Sequence, residues 1–300
     1  MVALNFPDSP VDGQIYEGFY WDNTAGLWKY VVDDFDLGLS ANISNTPTAS
    51  FTSGGFNYNC FIFKSSVTSM TVTRGGFIDA LVLGGGGSGA NGSFSQGGGG
   101  GAGGAVDIRN FYIPAGSYTI TVGAGGVGPS SNINNERGNP GNTSSLGSLL
   151  FGYGGGAGGR QGESGGGGGC GGGSSSGATT SFYGVSGPNP GKGTQGFDGG
   201  SAQGAEFRTA GGGGGMGAAG AIGASNTSGG AGGIGLTTDI ITTTIATTES
   251  VGQVSGGSLY FAGGGGGGAN SGNSTGGLGG GGRGGSTNDL AAIAGGTNTG

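Results

Sequence analysis

The stretch IDALVLGGGG, Ile78 to Gly87, passes from a β-strand pattern into bare glycine without a break. How that junction is read decides the fold. Glycine makes up 87 of the 300 residues. It is gathered into runs of four or more at 84–87, 97–101, 165–169, 211–215, 263–268 and 279–282, with apolar segments between them. Glycine loses more conformational entropy on folding than any other residue. Keeping so much of it means either that the runs never fold or that they form a structure only glycine can enter. Leu, Ile, Val and Phe total 55 residues, about 18%, which leans towards disorder. The charge balance argues the other way: net charge is −7 and 8% of residues are charged, so nothing repels the chain into an expanded coil.

The text between the runs is β-rich. Ile78 to Leu83 reads as a strand, and AVDIRNFYI (105–113), Pro114-Ala115-Gly116 and SYTITV (117–122) read as a hairpin with β-branched and aromatic enrichment. Strands around Phe61, Phe63, Val67 and Val72 lead into Ile78. The ordered form open to the runs is polyglycine in the polyproline II conformation, with three residues per turn and no internal hydrogen bonds. Laid side by side, such helices bond each N–H and C=O to a neighbour, and any side chain between them would hold the backbones apart. Collagen would need a strict Gly-X-Y period with abundant proline, and eight prolines with unbroken glycine tracts reject it. The expected fold is mainly β with polyglycine II helices: a small N-terminal aromatic hairpin, then β elements capping a stacked glycine slab, with essentially no α-helix. The expected boundaries are 1–37, a β-rich connection over 38–83, and the glycine-rich domain over 84–300.

The chain has no histidine, which excludes Ser-His-Asp and Cys-His machinery and the usual zinc sites. Cys60 and Cys170 stand 110 residues apart without CxxC spacing and read as free buried thiols, with a disulfide or metal site as the alternative. Asp33, Asp34 and Asp36 could ligate calcium or solvate a loop. GAGGVG (123–128) matches a dinucleotide fingerprint, but loop-forming PSSNINNERG follows it where a helix should open, and GKGT (191–194) departs from the phosphate loop at Ser186 and Gly193. No cofactor and no metal is expected. Nine scattered Lys and Arg argue against nucleic acid. No window approaches 18 apolar residues, so no membrane insertion is expected, and the first residues lack the pattern of a cleaved secretion signal. Paired carboxylates for a polysaccharide depolymerase would have to be Asp198 with Glu206 or Asp239 with Glu249; the expectation is that the chain is not an enzyme.

NFPDSPVDGQ (5–14) followed by the aromatic strands IYEGFYWD and LWKYVV and by WDNTAGLW (21–28) resembles the short N-terminal module of structural and tail-fibre proteins of tailed bacteriophages, cyanophages especially. Phe6, Pro7, Trp21 and Trp28 carry that resemblance. The sequence from ALVLGGGGSG through YTITVGAGGVG, NTSSLGSLLFGYGGGAGG and SGGSLYFAGGGGGG to AGGTNTG is similar to the glycine-rich domain of phage tail fibres and adhesins. Such domains continue past the last NTG into further glycines and a closing strand, which this sequence does not contain. The resemblance implies a virion protein on the exterior of tail or capsid. It would attach to other virion proteins through residues 1–37 and meet a host glycan or outer-membrane protein through loops between glycine helices, as a homo-oligomer such as a trimer. The stretch 174–210 is the candidate contact, through Phe182, Tyr183, Phe197, Phe207 and Arg208, the aromatic and cationic mixture of binding hot spots; the competing reading has these side chains staple the loop to the slab. A capsid-decorating fibre and an ice-binding glycine bundle are the remaining alternatives.

Overall fold

The computed structural model describes residues 15–16, 19–22, 27–30, 40–91, 97–129, 135–175, 195–202, 209–223, 228–272, 274–286 and 292–300. Near the N-terminus β1 (Ile15–Tyr16), β2 (Phe19–Asp22) and β3 (Leu27–Tyr30) form an antiparallel sheet in the order β1-β2-β3. Trp21 and Trp28 stand opposite each other across β2 and β3. The aromatic hairpin expected there is present as backbone pairing. Phe6, Pro7 and the Asp33, Asp34, Asp36 cluster lie outside the described residues.

A two-layer β unit follows. β4 (Asn42–Ile43), β7 (Val67–Arg74), β10 (Gly116–Thr121), β11 (Ser144–Leu146) and β12 (Leu150–Gly152) make a five-stranded antiparallel sheet in the order β12-β11-β10-β7-β4. β8 (Gly76–Leu83) and β9 (Ala105–Ile113) pair as a separate two-stranded layer. Met70, Val72, Ile120, Leu146 and Leu150 of the first layer pack against Val106 and Ile113 of the second. Each fully buried side chain of this size contributes roughly 1.5–3 kcal/mol.

This arrangement corrects one expectation: β9 and β10 are not a hairpin. β9 pairs with β8, and β10 pairs with β7 and β11, so the Pro114-Ala115 connection carries the chain from one layer to the other. The hydroxyl of Tyr118 donates to the Pro114 carbonyl at 2.8 Å and pins that crossing. β5 (Ala49–Ser53) and β6 (Phe56–Cys60) form a hairpin closed by Gly54 and Gly55 at positive φ. The pattern drawn from Phe61 and Phe63 falls just after β6 and outside any strand.

A second core gathers Ile241, Ala246, Val251, Leu259 and Phe261, with Cys60, Ile62, Leu81 and Leu83 packed against it. It is built on β13 (Leu236–Thr238), β14 (Gln253–Ser255) and β15 (Ser258–Phe261) in the order β13-β15-β14. Also in this core is α1 (Thr243–Glu249), the single α-helix among the described residues. Its threonine-rich sequence is a poor helix former. The Thr242 hydroxyl accepts from the Ile245 N–H at 3.2 Å, Ser250 closes the helix at φ +54°, and Ala246 is buried.

The strands feed the glycine runs directly: β8 ends at Leu83 before Gly84, Gly104 precedes β9, and β15 ends at Phe261 two residues before Gly263. The runs bond to one another in a ladder that repeats every third residue. The N–H groups of Gly98, Gly101 and Gly104 donate to the carbonyls of Gly159, Gly156 and Tyr153, while those of Gly99 and Ala102 donate to Gly211 and Gly214. Segment 210–216 is bonded on six sides. It donates to 171–174, 218–221 and 262–268, and accepts from 99–102, 197–200 and 230–233, all at 2.7–3.1 Å. A β-carbon at Gly213 would fall against the Gly100 carbonyl, which is the physical reason that this interior is glycine. Chain segments are one backbone apart, and most of their amides are satisfied by each other, as a buried backbone requires.

Candidate binding surface

The hydrogen-bond register gives the glycine layer two ends. One is the β cap, where Gly84, Gly104, Tyr153 and Ala262 lie. At the other end the segments turn back, and their polar residues pin the turns. Asn91 and Glu136 exchange backbone bonds at 2.9 and 2.8 Å. The Asn135 side chain accepts from the Gln161 N–H at 2.9 Å, and Arg160 pairs with Glu163 at 2.8 Å. The Ser174 hydroxyl accepts from the Ala202 N–H at 2.9 Å, and the Thr209 hydroxyl donates to the Gly223 carbonyl at 3.1 Å. Ser174, Ser175 and Thr209 are fully buried. This rim is a set of rigid loop bases. Loops on a fixed scaffold can vary in chemistry without disturbing it.

Of the five residues singled out for recognition, Phe197 is described and the others, Phe182, Tyr183, Phe207 and Arg208, lie outside the described residues. Phe197 is 48% exposed, while its backbone is held at both ends, its N–H donating to Gly215 at 3.1 Å and its carbonyl accepting from Gly171 at 3.0 Å. That register places it nearer the cap than the rim. The described residues bordering 176–194 stand at opposite ends of the layer: Ser175 at the rim, and Gln195 at the cap. Gln195 is a buried pin that the sequence did not single out. Its Oε1 accepts from the Tyr153 N–H at 3.0 Å and its Nε2 donates to the Phe151 carbonyl at 2.9 Å.

A cleft of about 2000 Å³ opens beside the layer. The β5–β6 hairpin borders it, presenting Phe56 at 70% exposure, with Phe51 and Tyr58 stacked at 5.2 Å between ring centres. Two stranded β-hairpins are marginal alone, and this one is anchored through Cys60 and Ile62 in the second core.

Two of the carboxylates considered for catalysis, Asp239 and Glu249, are paired with cations. Asp239 pairs with Arg109 at 2.8 Å, and that guanidinium, which also bonds Asp107 and the Thr238 hydroxyl, holds the Asp239 carboxyl below its ordinary range. A general acid needs the opposite shift. Glu249 accepts from Lys64 at 3.1 Å. Asp198 belongs to the glycine layer, where its carbonyl accepts from Gly220, and Glu206 lies outside the described residues. After β10, residues 123–128 continue extended and bond to the layer through Gly126, so the fingerprint-like GAGGVG opens no helix. GKGT at 191–194 is outside the described residues. Cys60 and Cys170 are both free thiols. Cys170 is fully buried with its Sγ towards the Gly103 carbonyl, and burial pushes its thiol up to about 12. Among the described residues no group of three His, Cys, Asp or Glu could hold a metal ion, and no helix is long and apolar enough to cross a membrane.

A family model described as a glycine-rich domain matches residues 64–300. No curated protein and no solved structure matches the chain.

Proposed function

The chain belongs to the glycine-rich domain family, and from that premise we propose that it is a non-enzymatic structural protein of a phage particle, a tail-fibre or adhesin subunit whose rim loops contact the host surface. The observation that carries this reading is the three-residue hydrogen-bond repeat between runs bonded on up to six sides. Three residues per turn and bonds only to neighbours are the marks of polyglycine II. In that form the eight residues 97–104 span about 25 Å at about 3.1 Å each. Such a slab offers almost no side-chain chemistry. Its use is mechanical: a rigid plate with loops at one end and β-strands at the other. The resemblance of NFPDSPVDGQ to a shared phage module supports attachment through residues 1–37, with Trp21 opposite Trp28 at its centre.

Host contact in this reading uses a glycan or outer-membrane protein and involves Phe182, Tyr183, Phe207 and Arg208, together with Phe197 on the outer face. The test replaces Phe182, Tyr183 and Arg208 together by Ala in the full chain on the particle. Adsorption to host cells is expected to fall by an order of magnitude or more, with the melting temperature nearly unchanged. Undiminished adsorption would sink this assignment of the contact, and a large loss of stability would make these side chains loop staples.

A further inference from the structure

Segment 195–202 joins the layer at its capped end, and its first three residues are each tied there. Gln195 bonds Tyr153 and Phe151, and Phe197 bonds Gly215 and Gly171. The residue between them has a different kind of partner: the Gly196 N–H donates to the thioether Sδ of Met216 at 3.2 Å. Sulfur is a weak acceptor, and it can be oxidised where a carbonyl cannot. Met216 itself is held in place. Its N–H donates to the Ala262 carbonyl at 3.0 Å, and its half-buried side chain packs on the buried cluster of Ala102, Cys170 and Ala262.

Gly196 also covers a thiol. A β-carbon at this position would collide with the Sγ of Cys170, so the Gly196 backbone lies directly against that sulfur. Cys170 is fully buried. The Met216 thioether and the Cys170 thiol thus meet the same residue, whose own N–H is fixed by one weak bond. Of the three methionines, Met70 is buried in the first core and Met1 lies outside the described residues. Met216, Gly196 and Cys170 do not border the cleft, so their contact is separate from it.

We propose that Met216 is an oxidation site for peroxides, and that its sulfoxide unseats Gly196 and uncovers Cys170. In the step, the thioether sulfur attacks one peroxide oxygen, the O–O bond breaks as the S–O bond forms, and the other oxygen leaves as water after taking up a proton. Sulfur is oxidised and the peroxide reduced, with no further reactant. Addition at the lone pair that faces Gly196 puts an oxygen where the N–H now sits, and that oxygen can accept the bond only with Gly196 displaced. Addition at the other lone pair leaves the sulfur partly positive and no longer an acceptor. Either product removes the latch. The Phe197 and Gln195 bonds persist, so the opening is confined to the turn over Cys170.

The test treats the full chain with hydrogen peroxide at neutral pH, then labels the native protein with iodoacetamide and reads both modifications by peptide mass spectrometry. Met216 should reach the sulfoxide about tenfold faster than Met70, and Cys170 should then be alkylated about tenfold faster than in untreated protein. Methionine sulfoxide reductase should restore the protection of Cys170. Met216→Leu keeps the packing but has no sulfur to oxidise, so its Cys170 labelling rate should be the same with and without peroxide, and its melting temperature within a few degrees of wild type. The proposal is overturned if Met216 is oxidised no faster than Met70, if Cys170 stays protected beside the sulfoxide, or if peroxide still accelerates its labelling in Met216→Leu. Rapid labelling of Cys170 before any treatment overturns it as well, because there is then nothing to uncover.

Discussion

Replacing Gly213 by alanine is expected to destabilise the chain by about 2–4 kcal/mol, while the same change at Gly265, in the next segment, is expected to stay within about 1 kcal/mol of wild type. The new β-carbon at 213 falls against the Gly100 carbonyl, so segment 210–216 must move away from 97–104. Overpacking of this kind costs about 1–3 kcal/mol. The movement also stretches two bonds, Gly213 N–H to the Gly265 carbonyl at 2.8 Å and Gly233 N–H to the Gly213 carbonyl at 2.9 Å. Each contributes about 1 kcal/mol. Restricting the unfolded chain returns about 0.4–1 kcal/mol. At residue 265 the nearest atoms to the β-carbon, the Gly100 N and O, are at 3.3 Å, and small shifts accommodate them. For a domain of this size about 2–4 °C accompanies each kcal/mol, so scanning calorimetry should show Gly213→Ala melting about 5–15 °C lower and Gly265→Ala within about 3 °C of wild type. Equal shifts in the two variants would refute the packing argument. If both are silent, the runs do not pack against each other at all.

Two further outcomes follow from the charged and thiol groups. The Arg109 guanidinium holds the Asp239 carboxyl below its usual range, so the stabilisation it gives is present above the unfolded carboxyl value of about 3.9 and is lost as pH falls through the lower folded value; Arg109→Ala should flatten the acid limb of a stability-against-pH curve, and an unaltered limb would show the cluster is inert. Asp239 is almost fully exposed, so Asp239→Asn alone should cost under about 1 kcal/mol in chemical denaturation. Cys170, with its thiol pushed up to about 12, should resist alkylation at pH 8 in native protein and react on denaturation, with half-buried Cys60 labelled first; mass spectrometry of the peptides reads this, and rapid native labelling of Cys170 would contradict its burial.

The strand Ile78 to Leu83 and its entry into glycine were legible because alternation and β-branching act locally. The mutual bonding of the runs was legible for another reason: ordered glycine leaves amides that only other backbones can satisfy. The β9–β10 hairpin misled because turn chemistry at Pro114-Ala115-Gly116 is a local signal, whereas the pairing of β9 with β8 is set by the shared core of Val106, Ile113 and Leu150. α1 was hidden by threonine, whose low intrinsic preference is outweighed by one cap and the burial of Ala246. Gln195 carried no signal, since a lone glutamine in a glycine-rich stretch reads as solvent-facing until Tyr153 and Phe151 are placed beside it. For recognition, the sequence marked residue types, and the structure places Phe197 away from the rim at which Thr209 sits.

The ladder of threes gives this protein a reading frame in space. Losing one residue from 263–268 would turn every later donor in the run by a third of a revolution, so that amides meant for 230–233 would face 279–282 instead. Losing three would return each donor to its own partner one turn further along, and shorten the plate by about 9 Å. Length changes in such runs are therefore tolerated in multiples of three. The β-strands that enter at Leu83 and leave Phe261 are what hold the frame, much as a start codon does: the glycines themselves, being identical, cannot tell one turn from the next.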